Sequence, residues 1–243
     1  MSWYRTCEAC DIFHRRGRFN MRKESGFTLI EIAIVLVIIG LLLGGVLKGQ
    51  ELITGARVRN LIQQQDGVKA AYFGFLDRYR ALPGDYTTAS TTISGVAKNG
   101  DGDGQIELSN GTDAEHILAW EHLSKSGFIN GSYTYASTQT DASNPKNPYG
   151  AYIQLIYDNV YGTGTPTTRH NLKTGPQVPV EIAAEVDRKV DDGAPYTGSF
   201  QFSTYAATLS SGPTAAKCVA GSAAPFTWAA NTGETNCGGA TLF

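Results

Sequence analysis

The sequence predicts an α+β protein: a long N-terminal helix, then a domain of short helices and short strands. Three observations predict it. Residues 27–47 (FTLIEIAIVLVIIGLLLGGVL) are apolar or small apart from Thr28 and Glu31. Beyond them, Val58, Leu61, Val68, Tyr72, Phe75 or Leu76, and Tyr79 recur at three- and four-residue steps, the period of a helix face, with Gln65 as the polar break. After Pro83 the chain turns rich in Thr, Ser, Gly and Asp, with short runs that alternate in polarity.

At about 1.5 Å per residue, a helix over 27–47 covers about 30 Å, the thickness of a bilayer core. The chain has 243 residues. About 200 of them follow this stretch, enough for a domain with a sizeable core. Mean hydropathy is −0.19 although one segment is strongly apolar, so the remainder is polar. Charge is uneven. Residues 1–26 hold six basic and three acidic side chains, and residues 27–243 hold fourteen and nineteen. A basic head before an apolar helix predicts a cytoplasmic N-terminus and an exported C-terminal domain. The acidic balance of that domain argues against nucleic-acid binding.

Cysteines fall in two pairs. Cys7 and Cys10, with His14, offer too few ligands for a zinc site, and a discarded leader is the preferred reading. Cys218 and Cys237 lie on the exported side. In an oxidising compartment they predict a disulfide, worth roughly 3 kcal/mol on the chain-entropy model. Residues 1–20 read as neither a domain nor a secretory signal, and Met21 opens a second candidate start.

A conventional signal peptide places its small cleavage residue after the apolar run. Here Gly26 precedes the run, between charge and hydrophobe. Gly26-Phe27-Thr28-Leu29-Ile30-Glu31 resembles the cleavage and methylation signal of type IV prepilins and type II secretion pseudopilins. The resemblance covers about 25 residues, so it indicates the class and not the member. It implies that a prepilin peptidase/methylase cuts after Gly26 on the cytoplasmic side and N-methylates Phe27. It implies a pilin-like fold, with the long helix packed on a small antiparallel sheet. The parts are then a leader (1–26), a transmembrane and assembly helix (27–47), its amphipathic continuation (48–82) and an exported domain (83–243). The implied location is the inner membrane, single-pass, with the C-terminal domain periplasmic or extracellular and a filament after assembly. Implied partners are copies of the chain or other pilin-like subunits and an inner-membrane assembly platform. Within this class a minor or tip subunit is the alternative to a bulk one. From other classes come a membrane-mounted ligand-binding module and an anchored enzyme.

Glu31 carries weight without the family. A carboxylate inside a membrane helix costs about 2.5–3.5 kcal/mol, and such groups are usually functional. After cleavage the nearest cation is the Phe27 amine, its own or a neighbour's; the bland alternative is snorkelling to the headgroups. Gly40, Gly44, Gly45 and Gly49 permit close helix approach. The proline that many type IV pilins carry near this depth is missing, since the chain reads Val46-Leu47-Lys48-Gly49.

The continuation helix should stop at Leu82-Pro83-Gly84-Asp85. Asn99-Gly-Asp101-Gly-Asp103-Gly104-Gln-Ile106-Glu107 resembles the front of an EF-hand loop, which predicts Ca2+ held by Asn99, Asp101, Asp103 and Glu107. The departure is Asn110 at the twelfth position; the alternative is a solvated Asp/Gly turn. Major pseudopilins hold calcium in a loop of this domain, which favours the first reading. Asp187, Asp191 and Asp192 read as a helix end with Gly193 as its cap. Thr112-Asp-Ala-Glu115 has the form of a capping box starting a helix that ends at Gly127, with Ile117, Trp120 and Leu123 on one face. Strands are predicted at Ser132–Ser137, Ala151–Asp158 and Ser199–Ala206, and a further helix at Pro179–Val190. The tail after Ser210 reads as loop pinned by the cysteine pair.

The residues give little support to an enzyme. His116 and His122 are six apart and face differently, and Glu115 and Glu121 read as surface helix charges. There is no GxSxG, P-loop or dinucleotide fingerprint in the sequence.

Overall fold

The computed structural model describes residues 26–208 and 210–243; Cys7, Cys10, His14 and Met21 lie outside the described residues. The chain divides into two compact units, Met1–Lys48 and Gly49–Phe243. Helix α1 (Leu29–Tyr79) runs through the boundary between them.

In the first unit, residues 27–47 form unbroken helix from Leu29 onward, and their large apolar side chains are exposed. By length and composition α1 can cross a membrane.

The second unit has α+β architecture consistent with the pilin-like fold. From Gly49 onward α1 buries a stripe: Val58, Leu61, Gln65, Val68, Ala71, Tyr72 and Phe75. The three- and four-residue steps place these on one face, as the sequence predicts, and Phe75 rather than Leu76 takes the core position. α1 stops earlier than Pro83. Arg80 adopts a left-handed φ of 53°, which no helix can continue through. Short helices follow: α2 (Ala89–Thr92), α3 (Glu115–Lys125), α4 (Val180–Val190) and α5 (Ala215–Cys218).

The sheet contains β1 (Gln154–Asp158), β2 (Arg169–Lys173), β3 (Phe200–Phe202) and, at the far end of the sequence, a strand over Gly239–Leu242. Between them in sequence, β4 (Val219–Ala220) and β5 (Thr227–Trp228) make a separate two-stranded ribbon. The Gly239–Leu242 strand is β6. The sheet order is β1-β2-β6-β3, antiparallel throughout. β6 therefore lies inside the sheet, where the sequence predicts only loop. Its first residue is small because it must be: a Cβ at Gly239 would collide with the Phe200 ring. The expected strand at Ser132–Ser137 does not form. That segment bonds α3 instead, with Tyr133 N–H donating to Ser124 Oγ (3.2 Å) and Tyr135 N–H to Glu121 Oε1 (3.2 Å). The strand expected at Ser199–Ala206 shortens to β3.

Two apolar clusters share the α1 stripe. Val58 and Leu61 join α4, β3, Trp228 and the cysteine pair. Val68, Ala71, Tyr72 and Phe75 join Trp120 and Leu123 of α3 with Ile153, Leu155 and Leu172. Gln65, the polar break, accepts a hydrogen bond from Thr241 of β6 (3.0 Å). At the end of α4, Asp187 is buried and accepts from Trp228 Nε1 (2.6 Å). Asp191 is the helix C-cap and accepts from the backbone of Ser199 and Phe200; Asp192 accepts from Ala194 N (2.9 Å) and Thr197 Oγ1 (2.5 Å). This acidic run holds the α4–β3 turn, with the cap at Asp191 rather than at Gly193.

Cys218 and Cys237 form a disulfide, both fully buried in the first cluster. Replacing both with Ala is expected to lower the unfolding free energy by about 3 kcal/mol. Denaturant unfolding of the oxidised wild type and the double variant measures this directly, and an unchanged midpoint would refute it.

Candidate functional site

Two places carry chemistry. The first is the start of α1. Thr28 is the residue before the helix and Glu31 is its third residue. Glu31 Oε2 accepts from Thr28 N–H (2.7 Å) and from Thr28 Oγ1 (2.8 Å), while Glu31 N–H donates back to Thr28 Oγ1 (3.3 Å). This is a reciprocal capping box, which satisfies donors that a helix start leaves without partners. In the uncut chain Glu31 is thus bound locally to Thr28. Its other oxygen, Oε1, accepts no hydrogen bond among the described residues. Gly26 and Phe27 lie just outside the helix and are exposed.

The second place is α3 and the loop that wraps it. The sequence reading takes Glu115 and Glu121 as surface charges; the structure buries both, along with His116 and His122. The Thr112–Glu115 capping box does not form, and Ala114 precedes the helix without a side-chain cap. Glu115 points to the loop instead. Its Oε1 accepts from Asp101 N (3.1 Å) and Asn110 Nδ2 (3.1 Å), and its Oε2 from Glu107 N (3.3 Å). Glu121 accepts from Ala97 N (3.4 Å) and Tyr135 N (3.2 Å). His122 Nδ1 accepts from Gly84 N–H (3.0 Å), so Nε2 carries the proton and donates to Lys98 O (3.2 Å). His116 faces Glu107 O through Nδ1 (3.2 Å), which leaves its Nε2 as a bare acceptor. Burial pushes both imidazoles down to about 4. The loop closes tightly on the helix: a Cβ on Gly84, at φ 94°, would collide with the carbonyl of Glu115.

The acidic loop gathers a carboxylate set that differs from the one read in sequence. Asp85, Asp101, Asp103 and Glu115 present oxygens within 4.8 Å of one another. Asp101 and Asp103 belong to the expected set. Asn99 Oδ1 accepts from Ser90 N (2.8 Å). Glu107 contributes only backbone, its N–H to Glu115 and its carbonyl to His116. Asp85 and Glu115 are the missed members. They are distant in sequence from the loop centre, and Pro83-Gly84-Asp85 reads locally as a helix breaker. Asp85 accepts from Gly102 N (2.5 Å) and Gly104 N (3.0 Å). Desolvation pushes Asp85 up to about 6 and Glu115 up to about 7, with neighbouring carboxylates adding to the effect. As a donor set the group fits a hard divalent cation: all ligands are oxygen, and the spacing suits bonds of about 2.4 Å. It lacks the histidine nitrogen and cysteine sulfur around which zinc sites are usually built.

His122 yields a pH prediction. Its pKa is depressed in the fold, so it contributes stability above about 6.5 that is lost as pH falls through about 4. Asp85 and Glu115 act in the opposite sense across an overlapping range, so the contribution is read by difference. The stability gap between wild type and His122→Gln should widen by up to about 3 kcal/mol as pH rises from 4 to 6.5. Chemical denaturation at several pH values measures it, and a gap independent of pH would contradict it.

Comparison with curated proteins finds no match, and comparison with solved structures finds none. The family model of the prokaryotic N-terminal methylation motif matches residues 21–47. That range holds the Gly26-Phe27 junction, the Thr28–Glu31 capping box and the apolar start of α1. The chain therefore carries the prepilin-type cleavage and methylation signal.

Proposed function

We propose that this protein is the precursor of a filament subunit, a structural component of a type IV pilus or a secretion pseudopilus. A prepilin peptidase removes the leader after Gly26 and methylates the amine of Phe27. The single observation that carries this reading is the methylation motif at 21–47, seated on a helix long and apolar enough to span a membrane. The motif points to a structural subunit rather than an enzyme. The polar residues of α3 support that view, because they are engaged with loop backbone.

The basic leader keeps the N-terminus cytoplasmic and sends unit Gly49–Phe243 across the membrane. The disulfide suits an oxidising destination. In the membrane Glu31 waits in its capping box with Oε1 available. On assembly, the methylated amine of a neighbouring subunit pairs with it, which relieves a charge that lipid penalises by about 2.5–3.5 kcal/mol. Subunits thereby leave the bilayer when helix packing replaces lipid. The carboxylates of Asp85, Asp101, Asp103 and Glu115 hold a calcium ion that pins the loop to α3, a reading supported by the oxygen-only donor set.

Intact-mass measurement on protein from membranes, with and without the peptidase, tests processing. The expected mature chain begins at N-methyl-Phe27 and disappears without the peptidase; an uncut chain would overturn the proposal. Glu31→Ala should be processed normally yet be absent from sheared filaments, whereas normal incorporation would remove Glu31 from assembly. For calcium, addition of CaCl2 to the full chain should raise the thermal midpoint of wild type and leave Glu115→Gln unmoved.

A further inference from the structure

A further site lies on the polar face of the sheet, away from α1. β1 and β2 pair Gln154 with Lys173 and Asp158 with Arg169, so Gln154, Asp158 and Lys173 share one face. That face, His116 of α3 and the segment around Gln139 and Tyr205 enclose an open cleft of about 390 Å3. This volume falls at the lower end of the ~300–1,000 Å3 usual for small-molecule sites.

The walls are built rather than incidental. Lys173 is 1 % exposed and forms an ion pair with Asp158. Asn171 Nδ2 also donates to Asp158 Oδ1 (3.0 Å). The ammonium lies 5.5 Å from the centre of the Tyr205 ring. Gln139 fixes that ring by donating to its hydroxyl (2.7 Å) and accepts from Thr208 N (3.0 Å). Against this network, Gln154 stands out. It is 2 % exposed and lines the cleft, yet its side-chain amide makes no hydrogen bond among the described residues. Its amide atoms reach the open cleft and are not sealed in protein, so both the donor and the acceptor are free for a partner there. His116 adds a second open valence, because its Nδ1 is held by Glu107 O and its Nε2 is a bare acceptor.

The chemistry of those groups selects the ligand class. Lys173 is neutralised by Asp158, and burial keeps His116 neutral, so the lining has no net charge to attract an ion. What it offers is a balance: donors from Lys173 and the Gln154 amide, acceptors from Gln154 and His116, and an aromatic face from Tyr205. We propose that the cleft binds a neutral polyhydroxylated molecule, one or two sugar rings in size. Vicinal hydroxyls, each both donor and acceptor, match an amide and an imidazole side by side. The site stands on observations separate from the methylation motif and does not depend on processing or assembly.

Saturation-transfer NMR on the detergent-solubilised full chain tests this. The probes are glucose, galactose, N-acetylglucosamine, lactose and cellobiose, with acetate and phosphate as anionic controls. At least one neutral sugar should bind, and Gln154→Leu should weaken it about tenfold or more. Ser137→Trp, at an exposed position on the rim, should block the cleft while the circular dichroism and thermal midpoint stay at wild-type values. The proposal is overturned if no neutral sugar binds, if only the anions bind, or if a bound sugar is insensitive to Ser137→Trp.

Discussion

One helical stripe joins both apolar clusters of the globular unit. Val58 and Leu61 seat α4, β3 and the disulfide; Val68 to Phe75 seat α3 and the inner face of β1 and β2. α1 enters both clusters, with Val58 and Leu61 in the first and Val68, Ala71, Tyr72 and Phe75 in the second. Burying Phe75 alone contributes about 1.5–3 kcal/mol. Gln65 falls between the two groups in sequence, and its bond to Thr241 brings a polar position of the stripe to the central strand. The amphipathic half of α1 is therefore a template on which the domain is laid, and the apolar half is left to lipid and to other helices.

The second demand comes from backbone. Residues 80–114 contain one short helix and no strand, so many N–H and C=O groups need partners away from water. α3 supplies them. Glu115, Glu121 and His122 point inward and take loop amides that a sheet would otherwise have paired. This explains a helix whose residues from Glu115 to Leu123 are all buried, charged ones included. It also explains why two of its glutamates cannot be read as surface residues: their partners are main-chain atoms, which a sequence does not display.

Legibility follows the range of the interaction. The signal at Gly26–Glu31 and the period of α1 are local, and the sequence shows them. The disulfide is nearly as plain, because a single pair of cysteines follows the long helix in sequence. Capping boxes mark the limit. Thr28–Glu31 and Thr112–Glu115 have the same pattern, but only the first forms; at the second, Glu115 is claimed by Asp101, Glu107 and Asn110. Strand β6 is hidden because its opening glycine is dictated by the Phe200 ring above it rather than by a pattern of its own. The carboxylate set was half visible: Asp101 and Asp103 lie in one motif, whereas Asp85 and Glu115 arrive from opposite sides of the loop.

The position of β6 sets the order in which this protein can be made. β6 pairs with β2 on one side and β3 on the other, and Thr241 bonds a helix residue 176 positions earlier. A chain synthesised N-terminus first offers α1 early and β6 late. Until β6 arrives, β2 and β3 have unpaired edges and Cys218 has no Cys237. The domain therefore stays open while its helical template is already in place. Closure of the sheet and of the disulfide become nearly simultaneous events, since Cys237 lies just before β6. Arrival of the last strand works as a completion signal, separating closed domains from open ones.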